Sequence, residues 1–406
     1  MAMEAHSPVD AEPQGSIAQI LRHARLLSDQ LQSARQRMYP PKAEKTLRSF
    51  TSREVSSYTG IPDSTLRTLS NENKGPKPVR LENNHRAYTL PQMNELRRYF
   101  AEQRPAEART LLPHRRDGEH LQVLAVTNFK GGSAKTTTSI HFAQYLALRG
   151  YRVLAIDLDP QASMSAMFGH QPEFDVNYNE TIYAALRYDD ERRSIRDVIR
   201  ETYYENLHLV PGNLEVMEFE HETPRALTGP NRTREGIFFE RLQLALDEVD
   251  DDYDIVVLDT PPSLGYLTMA AMYAATGLVV TVHPAMLDVA SMSQFLLMIG
   301  DLSRVIEDAG AEMDKDFIRY LVTRHDPNDQ AQTQIVALLR HLFAKDVMLP
   351  TALQSTAVEA AGLGKCTIYE TEPGQVQRSS LKRAREAMDA VNGAILHEVH
   401  QAWGRT

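Results

Sequence analysis

Three groups of residues in this 406-residue chain have the types and spacing for chemistry on phosphate. They are the run Lys130-Gly131-Gly132-Ser133-Ala134-Lys135-Thr136-Thr137, the pair Asp157 and Asp159, and Asp259. A tight glycine turn between a strand and a helix aims several backbone N–H groups at one spot, where the helix dipole favours negative charge. Lys135 can then reach the β- and γ-phosphates of a nucleotide, and the Thr136 hydroxyl can ligate Mg²⁺. Lys130 is a second cation that an ordinary phosphate loop does not need. Ala134 stands where the loop pattern has glycine; if the backbone requires a positive φ there, alanine costs about 1 kcal/mol.

The carboxylates sit where such a loop needs them. Val153-Leu-Ala-Ile-Asp157-Leu-Asp159-Pro-Gln-Ala-Ser163 ends an apolar strand with two acids two residues apart, which period-two alternation sends the same way. One can hold metal-bound water while the other orients an attacking water. Ile255-Val-Val-Leu-Asp259-Thr-Pro-Pro-Ser263 supplies a second acidic strand end, placed like a carboxylate that approaches Mg²⁺ through water. Open α/β sheets bind ligands at this carboxyl edge.

The elements that must hold these groups read as an α/β P-loop NTPase with a mainly parallel sheet, over residues 121–406. Near-continuous apolar runs suit strands covered on both faces. Strands are predicted at 121–127, 152–157, 207–210, 254–259, 277–282, 317–322 and 346–349. In front, residues 1–44 hold a dimerisation helix over 16–38. Its seam of Ile17, Ile20, Ala24, Leu27, Leu31, Ala34 and Met38 lasts about three heptads. It can pack on the chain's own core or pair with a second copy, and the dimer arm is the preferred reading.

Residues 45–102 read as a winged helix-turn-helix. Thr51 and Glu54 form a capping box, Thr59-Gly-Ile-Pro62 makes the turn, and Asp63 caps a second helix over 64–70, with Val55, Ile61 and Leu66 as core. A wing follows around Asn83-Asn84. In such a module Ser64, Thr65 and Arg67 face base edges or nearby phosphates, and His85 and Arg86 at the wing tip hold the backbone or minor groove. Residues 103–120 are predicted to be a polar linker.

The chain's net charge of −10 conceals an asymmetry. Residues 1–120 hold 19 Lys and Arg against 14 Asp and Glu, and the rest holds 25 against 40. A basic front on an acidic body suggests that nucleic acid meets the front. A single cysteine, Cys366, leaves no internal disulfide or thiolate cluster. With no signal-peptide pattern and no apolar run of about 20 residues, a cytoplasmic protein is expected.

Lys130-Gly-Gly-Ser-Ala-Lys-Thr136, Asp157-Leu-Asp-Pro-Gln161 and Asp259-Thr-Pro-Pro-Ser263 occur in the order and spacing of the ParA family of partition ATPases, which the chain resembles over about residues 121–390. The first motif resembles the family's deviant Walker A loop. The front module narrows the resemblance to the larger plasmid-type members, of the RepA type from RepABC plasmids. The resemblance implies ATP/ADP and Mg²⁺ as cofactors and a homodimer that sandwiches ATP. It also implies slow hydrolysis stimulated by DNA and by a ParB/RepB-type centromere-binding protein. Operator and nonspecific DNA binding, autorepression, and a cytoplasmic, nucleoid-associated protein complete the expectation, with no membrane partner.

Carried over by position, Lys130 reaches the partner's nucleotide, Lys135 and Thr136 hold phosphate and Mg²⁺, Asp159 orients water, and Asp157 and Asp259 serve the metal's outer shell. The basic residues Arg378, Lys382, Arg383 and Arg385 are candidates for nonspecific DNA. One alternative is a nucleotide-regulated repressor without significant turnover. A membrane-positioned relative of the MinD type would need a basic amphipathic tail, and residues 391–403 contain no lysine or arginine.

Overall fold

A computed structural model describes residues 15–38, 45–80, 86–228, 237–308, 310, 312–372 and 374–405. The chain divides into two compact units, Met1–Lys45 and Thr46–Thr406. The first holds helix α1, Ser16–Met38, on which Ile17, Ile20 and Leu27 are exposed. That leaves the front of the predicted seam uncovered within its own unit.

The second unit opens with strand β1 (Phe50–Thr51), helices α2 (Ser52–Thr59) and α3 (Asp63–Asn71), strands β2 (Val79–Arg80) and β3 (Arg86–Tyr88), and helix α4 (Leu90–Gln103). The three short strands form one antiparallel sheet in the order β1-β3-β2. Thr51 and Glu54 make the capping box reciprocally. Gly60, at φ 76°, ends α2 in the left-handed region, where glycine carries no Cβ penalty. Val55, Ile61 and Leu66 are buried, as their apolar spacing predicts.

Asp63 does not cap α3. The N-cap position is Pro62, and Asp63 lies in the first turn, where its carboxylate pairs with Arg67 at 2.7 Å. An acid at that position still favours the positive end of the helix dipole.

The main sheet has seven strands, β4 (Gln122–Thr127), β5 (Val153–Asp157), β6 (Arg200–Glu201), β7 (Leu207–Val210), β8 (Ile255–Asp259), β9 (Gly277–Val282) and β10 (Phe317–Val322). Their order is β10-β9-β4-β8-β5-β7-β6, and every pairing is parallel except β6 with β7. Six of the predicted strands are present within a residue at each end. The seventh, 346–349, is not a strand. Ala344, at φ 48°, turns the chain through a 3₁₀ segment, and only Val347 bridges to Tyr320.

Alternation along β4 sends Leu124 and Val126 to one face and Val123 and Ala125 to the other. Helix α5, Lys135–Arg149, covers the first face, and helix α6, Met286–Asp308, lies on the second through Met292 and Phe295. Helix α7 (Thr356–Leu363) and helix α8 (Arg378–Ala402) complete the α5 side. Phe50, Val55 and Leu66 belong to the same apolar cluster as α5 and α8, so the front module shares a core with the sheet.

Polar clamps reinforce that union. Arg97 of α4, 1% exposed, donates to Leu148 O at 2.5 Å near the end of α5 and to Tyr58 O at 3.2 Å. The expected linker is also tied down: Arg115 donates to Tyr253 O, His114 contacts Asp254, and Glu119 pairs with Arg405.

Candidate nucleotide and nucleic-acid sites

The phosphate loop is built by hydrogen bonds from neighbouring strand ends. Asn128, buried, donates to Thr281 O at the end of β9 and accepts from the Lys130 N–H at 3.0 Å. Thr281 Oγ1 donates to Ser133 Oγ, and Thr323 Oγ1 donates to Ser133 O, each at 3.0 Å. Gly132 lies at φ 78° and Ala134 at φ 65°, ψ 30°. Ala134 therefore occupies the left-handed region, and the loop carries the strain anticipated from sequence.

A cavity of about 370 Å³ opens on this loop. Gly131 to Thr137 form one wall, and Asp159, Met167, Pro262, Val358 and Cys366 are among the others. Lys135 is 6% exposed, and its Nζ lies 3.4 Å from Lys130 O. Burial pushes the Lys135 ammonium below its ordinary range, opposed by the charges of Asp259 and Asp159.

The acids differ sharply in surroundings. Asp157 and Asp259 are register partners on β5 and β8, and both are fully buried. Asp157 accepts from Ser165 N at 2.8 Å, Ser165 Oγ at 2.7 Å and Asp159 N at 3.2 Å, so both its oxygens are engaged. Asp259 accepts from Ser139 Oγ at 3.0 Å, while its Oδ2 has no partner. Burial, then the adjacent Asp157 charge, push the Asp259 carboxyl well above the usual carboxylate range. Asp159 alone of the three lines the cavity.

A buried carboxylate oxygen without a partner, at the end of a strand beside the phosphate loop's helix, fits a hard cation with oxygen ligands. Asp157 fits that role less well, because its three hydrogen bonds already hold the turn that presents Asp159.

Lys130 is not among the residues lining the cavity, and its Nζ lies 2.6 Å from Asp288 Oδ2 in the first turn of α6. Sequence reasoning missed Asp288, Asn128 and Ser139. Ser139 was the most accessible of these, four residues after Lys135 on the same helix face.

In the front module Ser64 and Arg67 are exposed and Thr65 is half-buried on α3. Arg86 turns toward the end of α3, donating to Ser70 Oγ at 3.0 Å and Asn71 Oδ1 at 2.6 Å. His85 lies outside the described residues. Among the C-terminal basic residues, Arg378, Lys382 and Arg383 are exposed on α8. Arg385 is not part of that surface: it donates to Ile368 O and Thr371 O and pairs with Glu54 at 3.1 Å, because it faces the shared core side of the helix.

A glycine-rich loop between a parallel strand and a helix, with acids at the ends of two adjacent parallel strands, defines a P-loop NTPase. A family model described as "AAA domain" matches residues 121–309. A putative replication protein A from Sinorhizobium fredii is 47% identical over 405 residues, covering 99% of both chains. A solved partition protein superposes with a TM-score of 0.64 at 17% identity, covering 95% of this chain and 99% of its own. A cobyrinic acid a,c-diamide synthase from Mycobacterium smegmatis, solved with bound ADP and magnesium, is 26% identical with a TM-score of 0.52, over 70% of this chain and 97% of its own. The chain belongs to the ParA family of plasmid partition ATPases.

Proposed function

We propose that the chain segregates plasmid DNA by cycling between ATP and ADP, as a homodimer whose two copies enclose a pair of nucleotides. One observation carries this reading. The cavity already has its own buried cation in Lys135, while a second, Lys130, precedes the loop, is not among the residues that line the cavity and pairs with Asp288. A cation so placed can stabilise charge developing on a phosphoryl group held by a neighbouring copy.

Within each chain, Gly131 to Thr137 cradle the phosphates and Lys135 binds the β- and γ-phosphates. Asp159, facing the cavity, positions the attacking water, and Asp157 fixes the Asp159 turn. Mg²⁺ would be held by Thr136 and Asp259, directly or through water, and would neutralise charge on the phosphates. ADP and magnesium in the cobyrinic acid a,c-diamide synthase support this choice of cofactors.

The front module reads operator DNA with α3, through Ser64, Thr65 and Arg67, and represses the chain's own operon. Exposed Arg378, Lys382 and Arg383 contribute to a nonspecific DNA surface in the nucleoid. A ParB/RepB-type centromere-binding protein stimulates hydrolysis, and α1 serves as a dimer arm. The test is ATP turnover with and without DNA and the cognate centromere-binding protein, beside operator binding in ADP, in ATP and without nucleotide. Turnover raised by both is expected. Its absence under every condition would leave a repressor for which nucleotide is only a ligand.

A further inference from the structure

Lys130 has a partner inside its own chain. Its ammonium lies 2.6 Å from Asp288 Oδ2, with the lysine side chain 35% exposed and the aspartate 12%. Asp288 sits third in a 23-residue helix, in the first turn. The Lys130 backbone is pinned by Asn128, so any movement of the charge falls to the side chain. Met286 and Leu287, 63% and 78% exposed, stand immediately beside Asp288 and mark an uncovered apolar surface. The pair therefore lies at the edge of a face that a second copy can cover.

An ammonium cannot serve two anions equally. A carboxylate offers one negative charge, whereas a terminal γ-phosphate offers up to two and more acceptor oxygens. ADP presents no γ-phosphate. We propose that Asp288 is a positioning residue for Lys130. It retains the ammonium within its own chain and yields it only to the γ-phosphate of a facing copy, so that dimer closure answers to ATP and not to ADP. This rests on the sandwich-dimer reading above. Each closure breaks two such pairs, so removing Asp288 lowers the barrier to pairing at both sites.

The experiment uses the full chain with magnesium. Dimer fraction by analytical ultracentrifugation is followed against ATP and against ADP, with ADP affinity measured by a fluorescent ADP analogue. Asp288→Asn is expected to reach half-maximal pairing at about tenfold lower ATP and to form some dimer in ADP, from the loss of two partly exposed charge pairs. ADP affinity should stay within about twofold of the parent, and Asp288→Glu should restore the parent's ATP dependence. If Asp288→Asn misfolds, Asp288→Ser replaces it in the same assay.

An unchanged ATP dependence in the Asn or Ser variant overturns the proposal. So does a change that merely follows a loss of ADP affinity, since a plain structural tie between loop and helix would act that way. Lys130→Ala separates the two levels. If that variant pairs and hydrolyses like the parent, the trans-acting lysine fails. If it is inactive while Asp288→Asn behaves like the parent, the role of Asp288 alone fails.

Discussion

Replacing Asp259 with Asn should stabilise the metal-free protein while weakening its response to magnesium. Asp259 and Asp157 face each other across paired strands, both fully buried, and Asp259 Oδ2 lacks a hydrogen bond. Burial and the Asp157 charge raise the Asp259 carboxyl above its unfolded value. A raised carboxyl makes folding take up a proton, so its stability is complete at low pH and is lost as pH climbs from the ordinary carboxylate range through neutrality. For one such group the loss is at most about 1.4 kcal/mol per pH unit, or about 2.7 kcal/mol between pH 5.5 and 7.5.

Relaxation and entry of water reduce that ceiling, and about half of it, roughly 1.5 kcal/mol, is the expected gain of Asp259→Asn at pH 7.5 relative to pH 5.5. Urea unfolding in EDTA at the two pH values measures it. The same titration with ADP and magnesium should show the parent recovering more than the variant, because a ligand that binds only the folded state adds stability in proportion to its occupancy. An Asn variant less stable than the parent in EDTA at pH 7.5 would refute the reasoning. It would mean that the carboxylate is a satisfied structural group and not a strained metal ligand.

Three further outcomes are expected. Ala134→Gly relieves about 1–2 kcal/mol of left-handed strain against about 0.5–1 kcal/mol of added unfolded-state entropy. It should raise stability by about 0.5–1 kcal/mol, read as a higher urea midpoint. Arg97→Met strands Leu148 O and Tyr58 O in the core between the front module and α5, and should cost about 2–4 kcal/mol by urea unfolding. Arg67→Ala, in an exposed pair with Asp63, should leave stability within about 0.5 kcal/mol. Its operator affinity should nonetheless fall about tenfold in a fluorescence anisotropy titration at fixed salt.

The candidate nucleotide site was legible because its parts are local. Strand, glycine turn and helix follow one another within residues 122–149, and an apolar run ending in an acid marks a strand whose last residue reaches the sheet edge. The capping box at Thr51 and Glu54 and the core of Val55, Ile61 and Leu66 were readable for the same reason. The seventh strand was misread because an apolar run states what is buried and not what it hydrogen-bonds to. Val347 and Met348 are indeed buried, yet a turn at Ala344 leaves only one bridge.

Sequence alone determined where the glycine loop lies between strand and helix, which strand ends carry acid, and that Ala134 would strain the loop if it turned left-handed. Only the tertiary structure decided that Asp157 is occupied by Ser165, that Arg385 serves Glu54, that Arg97 grips the end of α5, and that Lys130 rests on Asp288. The Arg97, Arg385 and Lys130 contacts join residues from 51 to 331 positions apart. Side chains so distant meet through the packing of whole layers, and a charged group takes whichever partner that packing leaves within reach.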